Sequence, residues 1–203
     1  MPTREEVKEA LEAQLIKMTN EGPTPDVFTF AGNGEPTLHP HFAEIIDDTL
    51  ELRDKYFPNA KVSVLTNATQ IIRQNVFDAL CKVDNNICKL DTISDEYISL
   101  IDQPHKGYDV CKIIDKLKEF GNRCIIQTMF MNGQYKGQSV CNVTEDYVGP
   151  WLNTVKEINP REVMIYTIDR ETPVLGLEKA SKEELDAIGA KVKNLGIECK
   201  VAY

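Results

Sequence analysis

The sequence predicts an α/β protein in which parallel strands alternate with helices. Short runs of apolar, β-branched and aromatic residues recur along the 203-residue chain, and segments with the helical spacing of apolar residues separate them. The runs are apolar almost throughout, which is typical of strands covered on both faces. Their alternation with helices favours right-handed βα units built around a parallel sheet.

The first element is predicted to be a helix, because Thr3 and Glu6 have the spacing of a capping box. Its apolar side chains fall on one face, at Val7, Leu11, Leu15 and Met18. The helix is expected to end at Gly22-Pro23-Thr24-Pro25. No predicted strand precedes it. Either this helix packs across the bottom of the sheet, or a strand is missing.

The remaining elements follow in strict alternation. The predicted strands cover residues 27–31, 61–66, 86–91, 124–130, 162–167 and 197–201. The predicted helices cover residues 40–56, 71–80, 94–101, 108–120, 145–158 and 181–195, the last with a capping box at Ser181 and Glu184. Residues 132–142, rich in Gly, Gln and Ser, form the longest irregular stretch and predict a substrate loop after a strand end. Residues 1–203 are expected to form a single domain.

The composition is that of a folded globular protein, with 42% hydrophobic and 27% charged residues. The formal net charge of -9 provides no bulk attraction to nucleic acid or anionic lipid. No apolar run approaches the ~18 residues that cross a bilayer, and the acidic N-terminus lacks a signal or transit pattern. We therefore expect a cytoplasmic protein. Its six cysteines show no tight ligand spacing, so we expect buried or partly buried free thiols and no metal ligands in this chain.

Polar residues and glycines gather where the predicted strands end. Ligands of parallel sheets and barrels bind at the carboxyl ends of the strands, so these residues form the candidate site. They are Gly32, Asn33, Gly34 and Glu35 after the first strand, Thr66 and Asn67 after the second, Lys89 and Asp91 at the third, Gln127 and Thr128 in the fourth, and Tyr166 in the fifth. A polar ligand with an amine, a carboxylate and hydroxyls suits such a rim.

Several of these patterns also have a purely structural interpretation. The turn lacks the third glycine of GxGxxG, because Thr37 stands there, and a plain βα turn explains its glycines equally well. Lys89 and Asp91 share one strand face, where an internal ion pair or a ligand contact is possible. His39-Pro40-His41 has the HxH spacing of some metal hydrolases, although cap and surface roles are more usual at a helix start. Asp47-Asp48 predicts a solvated helix face.

Taken together, these turns resemble those of the radical S-adenosylmethionine (radical SAM) enzymes. Residues 29–38, TFAGNGEPTL, resemble the GGE motif of that family in the GNGEPTL form of one branch. Residues 64–67 resemble the next strand with its terminal Thr-Asn pair, and residues 89–91 resemble the strand after it. Residues 165–173 resemble the sixth strand and its exit. The resemblance covers almost the whole chain.

The resemblance implies a partial (β/α)6 TIM-like barrel and two cofactors, S-adenosylmethionine (SAM) and a [4Fe-4S] cluster held by a CxxxCxxC loop after the first strand. In the family, the cluster reductively cleaves SAM to a 5′-deoxyadenosyl radical, which abstracts hydrogen from a substrate. By this resemblance, Gly32 to Glu35 meet the amino group of SAM, Thr66 and Asn67 its methionyl or ribose part, Gln127 and Thr128 the ribose, Tyr166 the adenine, and Lys89 and Asp91 the cofactor or the substrate. Ala68 stands where many members have Gly.

The sequence departs from the family pattern in one respect: no CxxxCxxC occurs in it. We expect that the first strand and the cysteine loop are missing by truncation rather than by loss of the cluster, so that the ligands lie upstream of Met1. On this interpretation the complete protein is an oxidoreductase-type radical SAM enzyme with an unidentified substrate, and this chain alone is inactive.

Two other functions stay open at this point. One is a metal-dependent hydrolase that uses His39 and His41, and the other is a non-catalytic barrel that binds a nucleotide-like ligand. The expected partners are a small-molecule cofactor, an electron donor such as flavodoxin or ferredoxin, and a second copy of the chain. The second copy is expected because the unpaired edge of an open barrel invites association.

Overall fold

A computed structural model describes residues 1–32, 34–170, 172 and 174–203 of the protein. It confirms the predicted fold class, because six parallel strands form the main sheet and helices separate them along the chain. A second, antiparallel sheet of three short strands accompanies it. The chain divides into two compact units, residues 1–87 and 88–203.

The first unit begins with a long helix and carries two paired parallel strands. Its elements are α1 (Arg4–Glu21), β1 (Val27–Phe30), a 3-10 turn (Pro36–Leu38), α2 (Phe42–Tyr56), β2 (Lys61–Thr66) and α3 (Gln74–Leu80). The predicted capping box is present: the Thr3 hydroxyl accepts from the Glu6 N–H, and the Glu6 carboxylate accepts from the Thr3 N–H. In the β1–β2 pair, Val27 lies opposite Lys61 and Phe30 opposite Val64.

Helices α1 and α2 of this unit are joined by an ion network around Asp48. Arg4 Nε lies 2.6 Å from Asp48 Oδ2, and Lys8 Nζ lies 2.9 Å from Oδ1. The prediction of a solvated face at this position was wrong for Asp48, which is buried, because α1 covers it and supplies two cations. Asp47 on the adjacent position is exposed and pairs with Lys82 at 2.6 Å.

β1 is less covered than the sequence suggests. Among the described residues it pairs with β2 alone, and its side chains alternate between exposed and half-buried. Val27 is 44% exposed, whereas Val62 and Val64 of β2 are fully buried. β1 is therefore an edge strand, and the expectation of strands covered on both faces holds for β2 but not for β1.

The second unit carries the rest of the main sheet and the antiparallel sheet. β3 (Asn85–Lys89) spans the boundary, and the following elements are α4 (Asp95–Ile101), α5 (Val110–Phe120), a 3-10 turn (Gly121–Arg123), β4 (Cys124–Met129), β5 (Met131–Tyr135), β6 (Gln138–Ser139), α6 (Glu145–Ile158), β7 (Glu162–Tyr166), β8 (Leu177–Lys179), α7 (Lys182–Asn194) and β9 (Glu198–Val201). β4, β7 and β9 are parallel neighbours in that order. Trp151 of α6 is buried, and its indole N–H donates to Leu90 O at 3.1 Å.

The structure corrects the prediction of an irregular loop over residues 132–142. This segment forms the hairpin β5–β6, and β5 also pairs with β8 in antiparallel register. Met131 and Val140 are buried against Tyr97 and hold the hairpin in place. The Gly, Gln and Ser composition concealed these strands because their partner β8 lies some 40 residues further along the chain.

The cysteines agree with the sequence prediction with one exception. None of the six forms a disulfide; Cys88, Cys124 and Cys199 are buried and Cys81 and Cys141 are half-buried, whereas Cys111 in α5 is exposed. In the part of the chain that the structure describes, no helix is long and apolar enough to cross a membrane.

Candidate functional site

The turn after β1 is organised by the carboxylate of Glu35. Glu35 Oε1 accepts from the Thr37 hydroxyl at 2.5 Å, from the Thr37 N–H at 3.1 Å and from the Thr66 hydroxyl at 2.6 Å. Glu35 Oε2 accepts from the Asn67 N–H at 2.7 Å. The carboxylate therefore ties this turn to the end of β2 and uses both of its oxygens inside the protein.

The glycines of the same turn leave open space beside their backbone, although the Gly34 N–H itself donates to Gly32 O at 2.8 Å. Gly32 has a φ of +141°, a conformation that side chains rarely adopt, and a Cβ at Gly32 or Gly34 would meet no protein atom within 4 Å. Asn33 lies outside the described residues. Open space beside two glycine peptides leaves room for a ligand to approach the main chain closely.

The exit of β2 presents one polar side chain outward. Asn67 is exposed, and its Oδ1 accepts from the N–H of Thr69 at 3.0 Å and from its hydroxyl at 2.8 Å. Asn67 Nδ2 donates no hydrogen bond to any of the described residues. The next residue, Ala68, is fully buried and has a φ of +62°, a region that favours glycine. The strained turn thus holds Asn67 at the surface with a free amide donor.

A different cluster lies at the end of β3 in the second unit. Lys89 Nζ lies 2.7 Å from Asp91 Oδ2 and 3.7 Å from Asp102 Oδ1. Asp91 is buried, and its Oδ1 accepts from the Met129 N–H at 2.8 Å. Burial opposes the charge of Lys89, but Asp91 and Asp102 outweigh it and hold the pKa of Lys89 above its ordinary value. The internal ion pair that the sequence allowed is therefore present.

The negative charges of Asp91 and Asp102 act on three tyrosine side chains. Burial raises the pKa of Tyr97, Tyr108 and Tyr166, and Asp91 and Asp102 raise it further in each case. Burial also raises the pKa of Asp102, although Lys89 acts against it. All three phenols therefore stay protonated at neutral pH and can donate hydrogen bonds.

The two candidates from β4 are placed differently. Thr128 is fully buried, and its hydroxyl donates to Leu90 O at 2.8 Å, so this donor is used in the core. Gln127 is half-buried, and its backbone carbonyl accepts from the Leu90 N–H at 2.9 Å. Tyr166 is half-buried at the end of β7, opposite Met129 of β4.

Neither the cysteines nor the histidines form a metal site in residues 1–32, 34–170, 172 and 174–203. No group of three or more His, Cys, Asp or Glu side chains within these ranges could hold a metal ion. His39 uses both ring nitrogens, because Nε2 lies 2.9 Å from Pro2 O and Nδ1 accepts from the His41 N–H at 3.1 Å. The chain's own residues thus do not fit a [4Fe-4S] cluster, and the hydrolase interpretation gains no support from His39 and His41.

The sequence reasoning missed three polar residues of these clusters. Thr37 stands inside the quoted motif, and its position two residues after Glu35 was a usable signal for a local hydrogen bond. Asp102 and Tyr108 follow a short helix, and nothing in their spacing marks them as neighbours of Lys89.

Similarity to known proteins extends over the whole chain. The family model of the radical SAM superfamily matches residues 2–138. Among curated proteins, the chain is 26% identical to a UPF0026 protein of Helicobacter pylori (strain J99), covering 87% of this chain and 55% of that protein. It is also 26% identical to a UPF0026 protein of Methanocaldococcus jannaschii (80% and 47%) and 27% identical to a GTPase Obg of Brachyspira hyodysenteriae (79% and 22%). The chain thus spans about half or less of the length of these relatives.

Solved structures share the fold at low sequence identity. A radical SAM methyltransferase from Sphaerobacter thermophilus has a TM-score of 0.73 at 14% identity, covering 100% of this chain and 58% of that one. SuiB of Streptococcus suis, solved bound to S-adenosylmethionine, has a TM-score of 0.64 at 15% identity, covering 97% and 43%. These likenesses concern the fold alone. Because the family model matches about two thirds of the sequence, including the glycine turn and the end of β2, the chain belongs to the radical SAM superfamily.

Proposed function

We propose that the protein is the core of an oxidoreductase-type radical SAM enzyme, and that the turn after β1 binds the amino-acid end of SAM. The observation that carries this proposal is the Glu35 clamp, which fixes the turn while the space beside Gly32 and Gly34 stays open. Family membership supports SAM as the cofactor. A reduced [4Fe-4S] cluster would supply the one electron that cleaves SAM into methionine and a 5′-deoxyadenosyl radical, the species that abstracts hydrogen from a substrate.

The residues of the first unit have separate tasks in this proposal. The peptide groups around Gly32 and Gly34 bind the amine and carboxylate of SAM, and Asn67 Nδ2 donates to the methionyl or ribose part. Glu35 acts as a positioning residue, because four donors already occupy its carboxylate. In this proposal Glu35 holds the turn in place and does not itself contact the amine of SAM.

The residues of the second unit bind polar groups of the cofactor or the substrate. Lys89 stays a cation, and Tyr166 stays a protonated phenol, so both donate hydrogen bonds at neutral pH. Gln127 is half-buried and offers its amide to the same kind of ligand. Thr128 contributes through its bond to Leu90 rather than by a ligand contact.

Binding of SAM by the 203-residue chain tests the site. We expect weak binding, detected by saturation-transfer NMR, because no iron anchors the cofactor. Gly34→Val places a branched side chain in the open space and is expected to abolish the transfer signal without changing thermal stability. Ala10→Val, at an exposed position of α1, is the matched control and should leave the signal intact. Equal signals from the Gly34→Val and Ala10→Val variants would contradict the site.

The chain by itself is proposed to be inactive, since no group of three or more His, Cys, Asp or Glu side chains among the described residues could hold a metal ion, and half of the cysteines are buried. The cluster ligands are then supplied by other residues of the whole protein. Anaerobic reconstitution with iron and sulfide should give the 203-residue chain no stoichiometric cluster and no 5′-deoxyadenosine from SAM. A cluster with turnover in this chain would overturn the proposed inactivity and leave the SAM site standing.

We further propose a cytoplasmic enzyme that takes electrons from a flavodoxin or ferredoxin and self-associates through the edge of β1. Exposed Val27 on a strand with one partner supports the edge contact. Val27→Lys puts a charge on this edge and is expected to reduce the mass measured by light scattering at high protein concentration. Ile16→Lys, at an equally exposed apolar position of α1, is the control and should leave the mass unchanged. A mass that Val27→Lys does not alter would overturn the edge contact.

A further inference from the structure

The second unit contains a cavity that is open to solvent and has no part in the proposed function. It has a volume of about 380 Å³ and lies between α4 and the segment that leads into α5. Its walls comprise Asp95, Ile98, Ser99, Gln103, Pro104, His105, Gly107 and Tyr108. A volume of this size falls in the range of small-molecule sites, about 300–1,000 Å³.

The walls combine an apolar floor with polar groups that can receive a ligand. Ile98 is buried, and Pro104 and the half-buried ring of Tyr108 add further carbon surface. Gln103 directs its Nε2 to Leu100 O at 3.3 Å and to the Tyr135 hydroxyl at 3.4 Å. Its Oε1 is therefore held as an acceptor, and acceptors of this kind favour ligands that donate hydrogen bonds.

The electrostatic setting of the cavity is negative. Asp95 lines the wall, and Asp102, Asp91 and Asp109 lie near Tyr108. Burial first, and then these carboxylates, raise the pKa of Tyr108 to about 12. Lys89 pairs with Asp91 at 2.7 Å and lies 3.7 Å from Asp102, and Lys112 pairs with Asp109 at 3.5 Å. Asp95 forms no ion pair among the described residues, so it supplies the unbalanced negative charge of the wall, which also contains His105; Lys106 is exposed and does not line the cavity.

We propose that this cavity binds a small organic cation, an alkylammonium or guanidinium compound, with its charged group between Asp95 and Tyr108 and its carbon chain on Ile98 and Pro104. A cation over the face of a phenol ring is stabilised by the ring quadrupole, and a nearby carboxylate adds direct attraction. The residues that line this cavity are different from those that bind SAM in the proposed function.

Titration with 1,4-diaminobutane tests the proposal on the 203-residue chain. We expect saturable binding by calorimetry or by chemical-shift changes, and no comparable binding of the neutral 1,4-butanediol or the anionic succinate. Raising the salt from 50 mM to 500 mM should weaken diaminobutane binding several-fold, since the Debye length shortens. Equal binding of the diamine and the diol would overturn the proposal.

Substitutions of two lining residues, Asp95 and Tyr108, locate the site. Asp95→Asn should weaken diaminobutane binding about fivefold, and Tyr108→Leu should weaken it by a similar factor, whereas Tyr108→Phe keeps the ring and most of the affinity. Asp146→Asn, the matched control in the first turn of α6, should have no effect. Loss of binding to the same extent in the Asp95→Asn and Asp146→Asn variants would overturn the assignment.

A cross-comparison separates this site from the SAM site. Gly34→Val should leave diaminobutane binding unchanged, and Asp95→Asn should leave the SAM signal unchanged. If Gly34→Val alone removes diaminobutane binding, the cation binds elsewhere and the cavity assignment is wrong. If SAM binding fails while diaminobutane binds as described, the proposed function fails and the cavity assignment stands.

Discussion

The carboxylates of Glu35, after β1, and of Asp91, after β3, have opposite roles in this protein. Glu35 in the first unit accepts four hydrogen bonds from uncharged groups of Thr37, Thr66 and Asn67, and it takes part in no salt bridge among the described residues. Asp91 in the second unit accepts one backbone N–H and pairs with a lysine. The first carboxylate shapes a turn and leaves main-chain groups open to a ligand. The second balances a cation, so its removal should disturb the protein more.

Removal of the Asp91 charge is the largest effect that this comparison predicts. Asp91→Asn leaves Lys89 with only the looser contact to Asp102 in a largely buried position, and we expect a loss of about 3 kcal/mol in the free energy of unfolding. The double variant Lys89→Met with Asp91→Asn removes both charges and should recover at least half of that loss. Urea unfolding of the two variants checks this. A double variant less stable than Asp91→Asn would show that the ion pair is not the source of the effect.

Glycines provide a second contrast between the units. A Cβ at Gly34 meets open space, whereas a Cβ at Gly133 would lie 2.1 Å from Gly176 O at a φ of +102°. Gly133→Ala is therefore expected to lower stability by about 2–3 kcal/mol and to separate β5 from β8. Hydrogen exchange of the β5 amides and thermal unfolding measure both effects.

The control for this contrast lies in the same hairpin. Gly137 also has a positive φ, +75°, but nothing lies within 4 Å of its Cβ position. Gly137→Ala should lower stability by only about 1 kcal/mol, which is the backbone contribution alone. Equal losses in Gly133→Ala and Gly137→Ala would mean that the approach to Gly176 is unimportant.

Sequence reasoning succeeded where the determining contacts are local. The capping boxes at Thr3 and Ser181, and the alternation of strands and helices, depend on residues a few positions apart, and the structure contains them. It failed where distant segments decide. β8 turns a glycine-rich stretch into a strand, and α1 turns Asp48 into a buried group.

In the candidate site, too, the sequence predicts contacts between nearby residues and misses those between distant segments. The motif around Gly34 was visible in the sequence, and an ion pair of Lys89 with Asp91 was one of the two alternatives that it left open, because short spacing links the members of each group. The involvement of Asp102 was not, because it depends on how the segment after α4 folds back toward β3 within the second unit. The sequence also gave no sign that Glu35 would be fully occupied by internal donors.

A smaller effect is expected at Glu35 than at Asp91. Glu35→Gln keeps the size of the side chain but replaces one accepting oxygen with an NH2 group, which faces either the Asn67 N–H or the Thr37 and Thr66 donors. We expect a loss of about 1–2 kcal/mol, since one or more donors lose their acceptor. Glu9→Gln, at an exposed position of α1, should be neutral. A loss at Glu35 as large as that at Asp91 would remove the distinction between the two clusters.

The smallest predicted effect is a loss of stability at low pH. It extends the comparison to the Asp48 ion network of the first unit. Arg4, and then Lys8, hold the pKa of Asp48 at about 2, against the opposing effect of burial. Because this value lies below the ordinary pKa of an aspartate, the stability that Asp48 contributes is complete above the unfolded-state pKa and is lost as the pH falls toward 2. Arg4 and Lys8 are 40% and 36% exposed, so solvent screening limits the contribution.

We therefore expect Asp48 to account for about 1 kcal/mol of the stability lost between pH 6 and pH 3. Urea unfolding at a series of pH values measures it, with Asp48→Asn as the comparison, because the asparagine cannot titrate. The difference in unfolding free energy between the two proteins should shrink as the pH falls, and 0.5 M salt should reduce it at pH 6. Lys89 is 32% exposed, close to the 36% of Lys8, so added salt should reduce the effect of Asp91→Asn as well. A gap between parent and Asp48→Asn that stays constant from pH 6 to pH 3 would show that the Asp48 network does not contribute through its charge.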